Sequence, residues 1–191
     1  MSDFGFYFSL GWEHIISWNA LDHQLFILSL AAIYLLRDWR QVLVLVTAFT
    51  VGHSLTLALT VFNVIHFPSN WIEFLIPCTI IVTAASNLFQ RNFYARSIRI
   101  NYFLALFFGL IHGMGFANKL RYIIAEDQSI GWSLFGFNAG LEVGQIAVVI
   151  VILIVSFLIV QLLRVERAKW VVLTSLAAFI VAAQMAVERW P

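Results

Sequence analysis

Phe107-Phe-Gly-Leu-Ile-His112-Gly-Met-Gly-Phe-Ala117 lies inside an apolar run that begins near Tyr102, and it sets one imidazole among Gly109, Gly113 and Gly115. A charged side chain at the centre of a bilayer costs roughly 2.5–3.5 kcal/mol on insertion scales, so an ionisable group at that depth is expected to face protein, water or a partner. Glycines beside it remove side-chain bulk, which lets another helix or a ligand come close. The reading of the chain turns on what His112 faces.

Whether that run is a membrane span is decided by composition. The 191 residues are 62% hydrophobic and 11% charged, whereas a soluble domain is about half apolar and about a quarter charged. The chain is therefore expected to live in a lipid bilayer. Its net charge of +1 supplies no field that would gather nucleic acid. The single cysteine, Cys78, excludes an internal disulfide and a cysteine-rich metal site. With three methionines as the only other sulfur, a soft-ligand copper(I) route is also disfavoured. Met1-Ser-Asp-Phe-Gly-Phe6 has no basic stretch ahead of its apolar residues, so no cleavable signal peptide is expected.

Outward from His112, the chain divides into six apolar runs: 20–36, 41–62, 71–88, 100–117, 132–163 and 170–187. Each approaches or exceeds the roughly 20 residues that cross a bilayer. Residues 1–19 are aromatic and amphipathic, with Trp12 and Trp18 around Glu13 and His14, and read as an interfacial helix at the membrane surface. Asn19 and Asp22 resemble a capping box that starts the first run. Pro77 is expected to kink the third. No repeat or soluble domain interrupts 1–191, and the fold class expected is all-α, a six-transmembrane-helix bundle in a single membrane domain.

Arg37, Arg40, Arg91, Arg96, Arg99, Arg164, Arg167 and Lys169 fall in alternate loops, while Lys119, Arg121 and Arg189 lie on the other side. This asymmetry predicts a cytoplasmic face for the larger set and both termini outside the cytoplasm. Depth can be counted from that face. His23 lies 14 residues before Arg37, and His53 and His112 lie 13 after Arg40 and Arg99. At about 1.5 Å per residue, three imidazoles from three runs share a level about 20 Å above the inner boundary. Glu142 and Gln145 are expected higher, and Glu73 enters from the outer side as a gate. In the fifth run Gly136, Gly140 and Gly144 form a close-packing face, and Asn138, Glu142 and Gln145 a separate polar stripe. The inner halves of the runs offer few polar groups.

Plainer roles are weighed alongside. Asp22 serves equally as a helix-start acceptor or a ligand, since neighbours on a helix point about 100° apart. Thr50, Ser54, Thr56 and Thr60 are expected to bond back to the preceding turn. Asn87 is expected to tie up a helix end, and His66 to be solvated. Imidazoles with carboxylates and amides suit Ni(II), Co(II), Zn(II) or Fe(II), and nothing in the residues chooses among them. His23, His53, His112 and Glu142 are the expected metal ligands. His14, Asp22, Asn138, Gln145 and Glu73 are supporting or alternative groups, and Gly109, Gly113, Gly136, Gly140 and Gly144 packing positions. Metal-bound water beside Glu142 would instead make a zinc-type intramembrane hydrolase; a histidine and carboxylate proton relay is a third reading.

Leu10-Gly-Trp-Glu-His14, Leu21-Asp22-His23-Gln-Leu-Phe26, Phe49-Thr-Val-Gly-His53-Ser54-Leu-Thr56, Phe108-Gly-Leu-Ile-His112-Gly-Met-Gly-Phe116 and Phe137-Asn138-Ala-Gly140-Leu-Glu142-Val-Gly-Gln145 follow one another over nearly the whole chain. In that order they resemble the HupE/UreJ family of hydrogenase and urease accessory membrane proteins, in its short branch without a signal peptide. The resemblance implies a multi-pass bacterial inner-membrane protein carrying nickel or cobalt, with metalloenzyme maturation proteins as partners. It implies His14, Asp22, His23, His53, His112 and Glu142 as the functional positions. Better-known members have Pro and Gly where Ile15-Ile-Ser-Trp-Asn-Ala20 stands here. The expectation is a divalent-metal permease or metal-handling accessory protein, with the hydrolase as the alternative that leaves enzyme activity open; a homo-oligomer is compatible with it.

Overall fold

The computed structural model describes residues 3–90, 98–124 and 130–191. Arg91 and Arg96 lie outside them. The described residues form helices α1 (Asp3–Ile16), α2 (Leu21–Ala31), α3 (Trp39–Val61), α4 (Ser69–Leu88), α5 (Ile98–Ile124), α6 (Ile130–Phe157) and α7 (Arg167–Glu188), with no strand among them. Short 3₁₀ turns precede α2 and α3, and α6 runs on as a π turn over Leu158–Leu162. Asn63, just past α3, takes the left-handed conformation that commonly ends a helix.

Among the described residues, five stretches are long and apolar enough to span: Leu36–Val61, Ser69–Leu88, Ile98–Ala117, Ile130–Leu162 and Arg167–Glu188. They correspond to the second through sixth apolar runs. The first run differs, because only Leu21–Ala31 is helical and the chain then leaves the helix before the turn at Leu36–Asp38. The 11 residues of α2 reach about 16 Å, and four more in irregular backbone add up to about 13 Å, so together they match a hydrocarbon core of about 30 Å. Irregular backbone is tolerated at such depth only inside protein. Ala32, Ile33 and Tyr34 are accordingly at most 3% exposed, and Arg167 Nη2 donates to the Ile33 carbonyl.

Two helix pairs are joined backbone to backbone. Along α3 and α5, a Cβ added at Gly109 would stand 2.2 Å from the Phe49 carbonyl oxygen, and one at Gly113 would stand 2.3 Å from that of His53. Thr56 Oγ1 adds a hydrogen bond to the Leu110 carbonyl at 2.8 Å. Along α1 and α6, a Cβ at Gly11 would meet Phe137 O at 2.0 Å and one at Gly140 would meet Phe8 O at 2.0 Å, with Ile15 seated on Gly144. A helix lying flat on the membrane surface would cross α6 at one point. This one follows α6 from Gly136 to Gly144, carrying its C-terminus toward the bundle centre. The expected interfacial position is corrected to that extent, and the cause is the glycine face, which makes a lengthwise seat available.

Candidate metal centre

His14, near the end of α1, is brought inward by that seat. Gln24 of α2 anchors the same helix end, its Nε2 meeting the Ile15 and Ser17 carbonyls at 3.0 and 3.1 Å. The Ile15 carbonyl is one of those that a helix C-terminus leaves without intrahelical partners. His23 comes from the first turn of α2 and His53 from the middle of α3, against Gly113. One ring nitrogen from each of His14, His23 and His53 lies within 4.8 Å of the others. His112 stands beside them, its ring centre 5.0 Å from that of His23.

The protons on these rings follow from their neighbours. Asp22 Oδ1, an acceptor, lies 3.1 Å from His23 Nδ1, so that nitrogen carries the hydrogen and Nε2 keeps its lone pair. Thr79 Oγ1 donates to the Ile76 carbonyl at 2.7 Å and is 2.9 Å from His112 Nε2. With the hydroxyl hydrogen so used, His112 Nε2–H donates to Thr79 and Nδ1 is the bare nitrogen. His14 Nε2, His23 Nε2, both nitrogens of His53 and His112 Nδ1 are all buried without a hydrogen-bond partner. Buried polar atoms are ordinarily paired. Bare imidazole nitrogens gathered at one place, with carboxylate and hydroxyl groups orienting the rings from behind, form the arrangement that transition-metal sites use.

A cavity of about 490 Å³ reaches this group from the end of the bundle where α2 starts and α7 finishes. Glu73 and Glu13 line it, and so do Lys119 and Arg189; Arg189 Nη1 is 3.6 Å from Asp22 Oδ2. Glu73 therefore stands at the cavity, where a gate was expected. Asp22 meets His23 despite being its chain neighbour, because its carboxylate also accepts the His23 backbone N–H at 2.9 Å and folds back over the ring.

The remaining expected residues lie elsewhere. Glu142 accepts from Thr47 Oγ1 at 2.8 Å and Gln145 from Thr50 Oγ1 at 2.7 Å. Thr47 precedes His53 by six residues on α3, so the Glu142 carboxylate lies toward the basic end from the imidazoles, not further out. The reason is the length of α6. At 33 residues through its π turn, it reaches about 50 Å and overshoots the core, so its start does not mark the membrane boundary. Glu142, Asn138 and Ser54 line a separate depression between α3 and α6. Asn87 bridges helices instead of closing one, donating to the Ser29 carbonyl at 2.7 Å. Thr79 and Gln24 were not singled out from the sequence. Thr79 was legible as the first member of an i, i+4, i+8 series with Thr83 and Asn87; nothing local marks Gln24.

Neither the curated proteins nor the solved structures contain a match to this chain. The family model described as HupE / UreJ protein matches residues 1–189, and the chain belongs to that family.

Proposed function

We propose that the chain is a bacterial inner-membrane permease for a divalent transition metal of the nickel or cobalt kind, with the ion as its cargo. The observation that supports this most is the set of bare imidazole nitrogens on His14, His23 and His53 at the end of an open cavity. His112 lines the same cavity, its ring centre 5.0 Å from that of His23. Three neutral imidazoles carry no charge, and Asp22 acts on the ion only through the His23 ring. Such a set suits nickel, cobalt and zinc alike. The hydrolase reading assigns Glu142 to metal-bound water, and that carboxylate instead accepts from Thr47 and lines a separate depression.

In this reading the basic end faces the cytoplasm, since Arg37, Arg40, Arg99, Arg164, Arg167 and Lys169 gather there. The cavity then opens outward and both termini are outside. Maturation proteins of nickel or cobalt enzymes would take the delivered ion. The test is flux of nickel or cobalt into vesicles containing the purified protein and a trapped metal-sensitive dye. Flux that falls at least tenfold in His53→Ala and in His112→Ala is expected. Zinc held one per chain through dialysis, with no flux of any metal, would overturn the permease reading.

A further inference from the structure

Below the imidazoles lies a second cavity, of about 270 Å³, between α2, α4 and α5. Its polar lining comes from one face of α4, with Thr83, Ser86 and Asn87, from Gln90 just past the end of that helix, and from Asn101 on α5. That face continues the series started by Thr79, which holds His112. Asn101 Nδ2 donates to the Tyr34 hydroxyl at 2.9 Å, and Asn87 Nδ2 to the Ser29 carbonyl at 2.7 Å. Each amide therefore gives its nitrogen to the scaffold and keeps its oxygen as an acceptor. Gln90 Oε1 is buried without a partner.

Between the two cavities stand three phenylalanines. Phe26 and Phe49 stack at 4.8 Å, and Phe108 lies 6.0 Å from Phe26. Phe26 and Phe49 also touch the His112 ring, at 5.3 and 5.0 Å. Phe108 is one helical turn from His112 and lines the lower cavity. We propose that this lower cavity is the cytoplasmic half of the ion's route, a neutral vestibule of amide and hydroxyl oxygens closed from the histidines by the aromatic barrier. This rests on the permease reading. It supplies inner polar groups that the separate runs do not show as a set, because they are divided between α4, the residue just past it and α5, and meet only in the fold. Oxygen donors without charge hold a divalent ion weakly enough to release it, and an apolar constriction blocks leakage by excluding water.

The competing occupant is lipid, since Val82 and Leu104 at the cavity edge are exposed. Protein carrying Cys78→Ser and Ser86→Cys, reconstituted in vesicles, distinguishes the two. A charged, membrane-impermeant thiol reagent applied at the basic end is expected to label Ser86→Cys. The same reagent at the opposite end should not. Labelling should cut nickel or cobalt flux at least tenfold while metal affinity at the histidines, read by equilibrium dialysis against nickel or cobalt, is unchanged. Labelling only by an apolar maleimide would overturn the proposal and make the cavity a lipid crevice. The two readings also fail separately. If the charged reagent reacts but the parent protein carries no metal, transport is wrong and the aqueous vestibule stands; if the parent carries metal and the thiol stays inert, the vestibule alone is wrong. Phe108→Ala supplies a second readout, with a rise in leak of ions other than nickel or cobalt expected and an unchanged leak counting against the barrier.

Discussion

Gly140→Ala is expected to weaken metal binding although Gly140 touches no ligand. A Cβ there would stand 2.0 Å from the Phe8 carbonyl oxygen, and ordinary contact begins at 3.4 Å, so α1 must withdraw by about 1.4 Å. His14 is on the same helix, fewer than two turns further along. Metal–imidazole bonds are about 2.0–2.1 Å long and tolerate errors of only about 0.2 Å, so the shift removes His14 as a ligand. Losing an orienting group alone typically costs about 10–100-fold in affinity, and the loss here should be at least that. Overpacking would also lower stability by about 1–3 kcal/mol. Calorimetric titration of the purified protein with nickel or cobalt reads the affinity, and thermal unfolding reads the fold. His14→Ala should cause a similar loss, and the double variant should be no worse than either single one, because both remove the same contact. A Gly140→Ala protein with native affinity, or losses that add in the double variant, would refute the placement of His14 in the site.

Gln24→Leu releases the end of α1 and should lower metal affinity about tenfold with a smaller effect on unfolding, since the neighbouring carbonyls are reachable by cavity water; equal loss of both would make Gln24 merely structural. Asp22→Ala removes the acceptor that orients His23 and should cost about 10–100-fold in affinity, which the same titration measures. Glu142→Gln keeps an oxygen for Thr47 to donate to, so metal affinity should be unchanged and stability should shift by less than about 1 kcal/mol. A loss of binding in that variant would restore Glu142 to the site.

The span pattern was legible because apolar runs alternate with basic loops, and the histidine level because helical rise converts residue counts into depth. The break after Ala31 was not. Ala32-Ile-Tyr-Leu35 is apolar and helix-compatible, and only burial among neighbours, with Arg167 on the Ile33 carbonyl, sustains irregular backbone there. His14 was ranked below His112 because the position of α1 depends on Gly11 and Gly140 meeting carbonyls of the other helix, a tertiary fact. The glycine periodicity itself was readable, but not what it would bring in. Glu142 was set too far out because depth on α6 was counted from a helix start that overshoots the membrane. Thr79, Thr83 and Asn87 show the opposite case, a series visible in the chain whose use emerges only once His112 and Asn101 are placed beside it.

The most direct test of a three-imidazole site is X-ray absorption at the metal K-edge of nickel- or cobalt-loaded protein, in the native chain and in His53→Ala. Outer-shell scattering from three imidazoles per ion, falling to two in the variant, is the expected result. A metal surrounded only by oxygen, or an imidazole count that His53→Ala leaves unchanged, would contradict it.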